Sequence, residues 1–291
     1  MNLKMPYGIS NYEKIVNDGY YYVDKTMYIE KLENLPETSI MFLRPRKFGK
    51  TLFTSVLEYY YDKNQIDKFE KLYGKTYIGK NPTKSKNSYS ILRFNFSGID
   101  TSSEEATIKG FKNEVASSIE VFKCRYDVDF YVNKEDDAEN ILNNLFKAFY
   151  VQKAQEKIYV IIDEYDHFAN ELLGFNPEQF RGLVSKNGKV RKWYEILKEG
   201  TETVVDRIFI TGVAPITLDS LTSGFNIGKD ISQDIRFNEM MGFTREELVQ
   251  ILNNEEIPVE EQKKILPIMK ENYDGYKFSM KAKNEIYNSN M

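Results

Sequence analysis

The chain is 291 residues long, enough for one large domain or two small ones with a substantial core. Hydrophobic residues make up 41%, charged residues 29% and the net charge is only −4, so no global electrostatic pull toward nucleic acid or an anionic membrane exists. A single cysteine, Cys124, excludes an intrachain disulfide, and with one histidine, His167, a zinc cluster of Cys and His ligands is excluded too.

"MNLKMPYGIS" lacks the apolar core of a signal peptide, and no apolar run reaches membrane-spanning length, so the cytoplasm is the expected location, with no membrane partner. Residues 6–36 read as a helix, a break at Gly19, a short aromatic segment and a second helix through Leu35. "SIMFL" (39–43) fits a buried strand, and "GKTLFTSVLEYYYD" behind it carries Leu52, Val56, Leu57 and Tyr60 at helical spacing. "GKNPTKSKNS" (79–88) reads as a polar, mobile loop containing Lys80, Lys84 and Lys86. "YSILRFNFSGI" (89–99) alternates Ile91, Arg93 and Asn95 against Leu92, Phe94 and Phe96, the pattern of a strand. Helices follow over 103–123 and 137–153, with Cys124 expected as a small buried side chain and "NKEDDAEN" (133–140) as an acidic helix entry or solvated loop. "IYVII" (158–162) is a buried strand. A helix around 189–200 carries Trp193 and Leu197 into the core, and "RIFITG" (207–212) is another strand. "GFTREELVQILNN" and "VEEQKKILPIMKENYDGY" form two closing helices, a small lid. Strands separated by helices predict a mostly parallel sheet with helices on both faces, and no internal repeat is present.

"RPRKFGKTL" (44–52) ends like a phosphate-binding loop and stands between a strand and a helix. Gly49 allows close backbone approach, Lys50 supplies an ammonium for the β- and γ-phosphates, and Thr51 offers a hydroxyl to Mg²⁺. The full pattern G-x-x-x-x-G-K-[ST] puts glycine where Arg44 stands, and Pro45 has no N–H and pushes Arg44 into an extended conformation. Side-chain contacts from Arg44, Arg46 and Lys47 could replace the lost amide contacts. The competing reading is a basic surface loop with an accidental Gly-Lys-Thr. "IYVIIDEYD" (158–166) weighs against that: a buried strand ends in Asp163, suited to Mg²⁺, and Glu164, suited to polarising an attacking water. The competing reading there is two solvated acids; together the two segments favour a nucleotide site. Thr211, near the end of a later strand, offers a polar side chain for a sensor position beside the γ-phosphate, and the competing reading is an ordinary strand threonine.

With "YYVDKTMYIEKL", "LRPRKFGKTL", "IIDEYD", "FITGVAPI", "ISQDIRFNEMMGFT" and "YDGYKF" in this order, the chain resembles, from Pro6 to about Asn288, the AAA-ATPase-like domain of bacterial and archaeal proteins. That domain commonly precedes a nuclease-like domain of the PD-(D/E)XK type. The resemblance implies a P-loop NTPase of three-layer α/β/α architecture, mostly parallel, with the sensor strand between the phosphate-loop strand and the Asp-Glu strand. It also implies an N-terminal helical extension (1–36), an ATPase core (37–240) and a small C-terminal helical lid (241–291). Arg44-Pro45-Arg46 becomes the family's normal loop, and the nucleotide-contacting segment runs through Arg44, Pro45, Arg46, Lys47, Phe48, Gly49, Lys50, Thr51 and Leu52.

The implied function is binding of ATP with Mg²⁺ and its hydrolysis in a switch or motor module. Glu164, Lys50, Thr211 and Arg46 would be catalytic, Thr51 and Asp163 would hold the metal, and Arg44 joins Arg46 as a candidate for stabilising transition-state charge. The alternatives are a non-hydrolysing, nucleotide-dependent interaction module or the truncated remnant of an ATPase–nuclease fusion. Asp24-Lys25-Thr26 matches a family motif, and either docking of the N-terminal unit or contact with nucleotide would account for it. Relatives continue beyond the position of Met291, and the only Glu-x-Lys, Glu261-Gln262-Lys263, lies in a helical pattern, so nuclease activity is not expected. A protein partner or self-association is open; nucleic acid is open through a partner or the basic loop but unsupported by net charge.

Overall fold

The strongest apolar runs of the sequence lie side by side in one sheet. The computed structural model describes residues 4–153, 155–175, 178, 188–215, 228–273 and 275–289. Strands β1 (Ser39–Leu43), β2 (Ser90–Asn95), β3 (Ile158–Asp163), β4 (Val205–Gly212) and β5 (Lys229–Asp230) pair in the order β2-β3-β4-β1-β5, all parallel. Helices α1 (Tyr12–Asn17), α2 (Met27–Glu33), α3 (Lys50–Tyr61), α4 (Phe69–Tyr73) and α5 (Tyr77–Lys80) come from the N-terminal third. Then come α6 (Glu104–Tyr126), α7 (Ala138–Gln152), α8 (His167–Phe175), α9 (Lys189–Gly200), α10 (Arg245–Asn254) and α11 (Val259–Tyr273). Among the described residues no helix is long and apolar enough to cross a membrane.

Strand alternation divides the interior into two cores. Met41, Leu43, Val160, Ile162, Ile208 and Ile210 face one side, where α6, α7 and α9 cover them. Ile40, Phe42, Tyr159, Ile161 and Phe209 face the other, covered by α1 to α5. A sheet buried on both faces reads as continuous apolar sequence, which is why "SIMFL" and "IYVII" are legible as strands. Trp193 is fully buried, as expected, with edge-on contacts to Phe94, Phe96 and Phe111 at 5.0, 5.7 and 5.5 Å.

Two expectations change, and one strand was not foreseen. Cys124 is exposed, not buried: the inward stripe of α6 runs through Phe111, Val115, Ile119, Phe122 and Tyr126, and position 124 falls off it. The segment expected to be mobile is pinned. Thr83 and Ser85 donate to Glu33 at 2.7 and 3.1 Å, the Asn87 amide donates to the Asp62 carbonyl at 2.8 Å, and the Lys86 ammonium lies 4.1 Å from the Phe69 ring centroid. Strand β5 has no apolar signature; Lys229 and Asp230 are exposed and join the sheet by backbone pairing with Ile40 and Met41. Glu261 and Lys263 lie on an exposed face of α11.

A third, smaller core joins Leu248, Ile251 and Leu252 of α10 to Leu266 of α11 and Tyr287, with Tyr21 and Val23 packed against it. Residues 1–3 and 290–291, the ends of the expected N- and C-terminal units, lie outside the described residues. Asp24-Lys25-Thr26 makes the junction. Asp24 accepts from the Thr26 amide and hydroxyl at 2.8 and 2.6 Å and from the Tyr77 amide at 2.6 Å. The Thr26 hydroxyl oxygen accepts from the Ile78 amide at 3.1 Å. Lys25 donates to both carboxylate oxygens of Glu247 at 2.6 and 2.7 Å, while Glu247 closes a capping box with Thr244 at the start of α10. The triplet thus ties the start of α2 to α5 and α10.

Lys25→Met removes the partner of a mostly buried carboxylate and should cost about 1.5–3 kcal/mol in urea unfolding. The Lys25→Met/Glu247→Gln pair should recover most of that loss, because no unpaired charge remains. Equal losses in the single and double variants would show that the ion pair is not the source.

Candidate phosphate-loop site

The loop leaves β1 by a route that a glycine-rich loop would not need. The Arg44 amide continues the sheet by donating to the Gly212 carbonyl at 3.0 Å. Its guanidinium turns inward, 1% exposed, between the rings of Phe42 and Phe278 at 3.9 and 3.7 Å from their centroids. It donates to the carbonyls of Leu43 and Ser232 at 2.8 and 2.9 Å and of Phe237 at 3.2 Å. Burial pulls the Arg44 pKa below the ordinary arginine value, and Asp230 opposes that. This corrects the expectation that the Arg44 side chain faces phosphate: it is committed to carbonyls inside the protein. Arg46 and Lys47, by contrast, are exposed.

Beyond Pro45 the chain curls through two left-handed residues, Lys47 at φ 67° and Gly49 at φ 84°. Turns of this kind can aim successive amides at one point. Gly49 caps α3 without a side-chain hydrogen bond, so the opening amides of the helix have no side-chain acceptor. Phe48 is buried, with its ring edge-on to Tyr276 and Phe278, and anchors the loop at its middle. Lys50 is 4% exposed and donates to the carbonyls of Arg44 and Pro45 at 3.0 and 3.1 Å. Its ammonium lies 3.8 Å from the Glu164 carboxylate. Burial lowers its pKa, and Glu164 and Asp163 push the other way. Thr51 and Leu52 follow, both half-buried, in the first turn of α3.

The register sets the opposite wall. Leu43 pairs with Gly212, Ile162 with Ile210 and Asn95 with Asp163, so the ends of β1, β4, β3 and β2 share one edge. Asp163 is fully buried and accepts from the Thr211 hydroxyl at 2.6 Å. Glu164 has left-handed backbone at φ 56°, a conformation costing a non-glycine residue about 1–3 kcal/mol. Hydrogen bonds on both sides hold it there: the Tyr165 amide donates to the Thr211 carbonyl at 3.0 Å, and the His167 amide to the Glu164 carbonyl at 3.1 Å.

Several residues here escaped the sequence reading. Asp166 is fully buried and accepts from the Val213 and Ala214 amides at 3.0 and 2.7 Å, which locks the β3 end to the β4 end. A Cβ on Gly212 would come within 2.4 Å of the Asp166 carboxylate, so that position needs glycine. His167 lies between Glu164 and Glu171, at 3.7 and 3.4 Å. Arg93 donates to Glu58 at 2.8 Å and stands 3.5 Å from the second Asp163 oxygen. An arginine inside an otherwise apolar strand was the available signal for it.

The donor set fits Mg²⁺ of the kind that substrate phosphates complete. Among the described residues no three His, Cys, Asp or Glu side chains cluster to cage a metal. The Asp163 oxygen near Arg93 accepts no hydrogen bond, with 3.5 Å between them, and Thr51 lies in the first turn of α3. One carboxylate and one hydroxyl beside phosphate oxygens suit Mg²⁺, which keeps several waters.

Arg44→Lys should lower unfolding free energy by about 1.5–3 kcal/mol, because an ammonium cannot span these carbonyls or stack between two rings. Arg46→Lys, on the surface, should stay within about 0.5 kcal/mol of the parent. Urea titrations of both variants make the comparison; a silent Arg44→Lys would remove the clamp.

Residues 6–222 match the family described as Predicted AAA-ATPase. The chain is also similar to an uncharacterized protein in the vnfD 5′ region of Azotobacter chroococcum mcd 1, at 30% identity over 248 residues. That alignment covers 83% of this chain and 43% of the relative, so the chain spans less than half of the relative's length. The phosphate-loop strand, the Asp-Glu strand and the threonine strand between them all fall within the matched span, and the chain belongs to the predicted AAA-ATPase family.

Proposed function

We propose that the chain binds ATP with Mg²⁺ at residues 44–52 and hydrolyses it, working as a nucleotide-driven switch or motor module. One observation carries this reading: Lys50, at the start of α3, meets the Asp163-Glu164 pair at the carboxyl edge of a parallel sheet, with 3.8 Å between its ammonium and Glu164. That edge is where open α/β sheets take their ligands.

Phosphoryl transfer to water asks a protein for positioning and charge stabilisation more than for covalent chemistry. The opening amides of α3 and the Lys50 ammonium would bind the phosphates, with Lys50 exchanging the carbonyls of Arg44 and Pro45 for phosphate oxygens. Arg46, whose guanidinium has no hydrogen-bond or ion-pair partner among the described residues, would add a second cation from the loop. Thr51 and Asp163 would hold Mg²⁺, which when bound offsets negative charge on phosphate oxygens. Glu164 would accept a hydrogen bond from the attacking water and take its proton. Its release from Lys50, as that ammonium turns to phosphate, would free the carboxylate for this role. Thr211 is read as a positioning residue that keeps Asp163 aimed through its 2.6 Å hydrogen bond.

Mg²⁺-ATP at about 100 times its Kd should stabilise the protein by about 2.7 kcal/mol, a rise in Tm of about 5–10 °C. Lys50→Ala should abolish the rise; an unchanged rise would move the site elsewhere. Glu164→Gln should keep the Tm response and lose about 10²–10⁴-fold in steady-state phosphate release. Undiminished turnover would remove Glu164 from its role.

A further inference from the structure

Two side chains bracket the Glu164 carboxylate. Its Oε1 lies 3.8 Å from the Lys50 ammonium, and its Oε2 lies 3.7 Å from Nδ1 of His167. The first contact is lost once Lys50 turns to phosphate. We infer that His167 is a positioning residue for Glu164: it keeps the carboxylate turned toward the attacking water when Lys50 lets go. The inference rests on the phosphate-loop reading above and adds what that reading leaves open, namely what holds the proposed base at the moment of attack.

Glu164 needs such a holder. Hydrogen bonds pin its left-handed backbone, but the side chain keeps its rotatable bonds and is 19% exposed, so packing alone does not fix it. Misplacing a reacting group by about 1 Å can cost about a hundredfold in rate. Other polar groups at this edge are committed elsewhere. Arg93 donates to Glu58 and Thr54 at 2.8 and 3.1 Å, Thr211 donates to Asp163, and Asp166 accepts from the Val213 and Ala214 amides. Among the described residues, His167 is the one ion-pair partner of Glu164 besides Lys50.

His167 is itself held from two sides. It opens α8, and its amide donates to the Glu164 carbonyl at 3.1 Å, a tight turn that sets the two side chains next to each other. On the far side of the ring, Nε2 lies 3.4 Å from Glu171, one helical turn on. Glu171 accepts from the Thr101 hydroxyl at 2.9 Å, so the loop after β2 steadies that carboxylate. Either ring nitrogen can donate to a carboxylate, and Glu171 at one nitrogen leaves the other for Glu164. The plainer role, an i,i+4 pair that only supports α8, uses Nε2 alone. The two roles therefore depend on different nitrogens. Asparagine places its amide nitrogen near the site of Nδ1, and glutamine near that of Nε2.

Two measurements separate these roles. Steady-state phosphate release and Mg²⁺-ATP affinity are compared for wild type, His167→Leu, His167→Gln and His167→Asn. His167→Leu and His167→Gln should lose about 10- to 100-fold in kcat with Kd unchanged, and His167→Asn should recover most of that loss. Undiminished kcat in His167→Leu, or recovery by glutamine and not by asparagine, overturns the inference and leaves the phosphate-loop reading standing. The second measurement needs no substitution of His167, the one histidine of the chain, whose ring resonances NMR reads directly. Mg²⁺ with adenylyl imidodiphosphate should shift them in wild type and shift them less in Glu164→Gln. Unmoved resonances in wild type saturated with that ligand, or an equal shift in Glu164→Gln, overturn the inference. Wild type that binds the nucleotide and releases no phosphate removes the attack step and the inference with it; wild type that binds no nucleotide overturns the phosphate-loop reading as well.

Discussion

A guanidinium buried at the end of the first strand organises this molecule. Removing a charge from water costs several kcal/mol unless other groups replace the hydration. Arg44 replaces it with the carbonyls of Leu43, Ser232 and Phe237 and with two aromatic faces. Those partners lie in different parts of the chain, so satisfying one charge fixes three segments together: the exit of β1, the stretch following β5, and the C-terminal segment that carries Phe278. The phosphate loop starts from this fixed point. Pro45 denies it an amide, and the left-handed turns at Lys47 and Gly49 restore the curl.

The acidic side of the site has a comparable internal logic. Asp163 is fully buried and hydrogen-bonded to Thr211. Asp166 closes on the amides just past β4. Between these anchors Glu164 takes a strained, left-handed backbone. This works because β4 lies between β1 and β3, which puts its threonine beside the acidic pair and its last glycine beside the loop. Backbone strain at Glu164 accords with the proposed role, since a group held rigidly needs little reorganisation when chemistry occurs.

The two ends of the chain meet through Lys25 and Glu247, which are 222 residues apart in sequence. Their ion pair, the capping box at Thr244 and the small core around Leu248 make one joint between the stretch before α2 and the last helices.

Much was legible in the sequence, for identifiable reasons. Both faces of a parallel sheet are buried, so β1, β3 and β4 appear as apolar runs, and helical periodicity outlined α3, α6, α7 and α9. Gly-Lys-Thr after one run and Asp-Glu at the end of another marked the candidate site, because local order along the chain decides which residues end a strand and open a helix. Tertiary structure alone decided the rest. The fate of Arg44 depends on carbonyls nearly two hundred residues away, and no local pattern reports whether an arginine beside a phosphate loop faces the ligand or the interior. Exposure of Cys124 depends on which side of α6 packs, and β5 exists only as backbone pairing. Asp166, Arg93 and the Lys25–Glu247 pair gain their roles from neighbours distant in sequence. Residue type and spacing determined which elements form and which groups could bind phosphate; only packing, by assigning each buried charge its partners, decided which of those groups stay available.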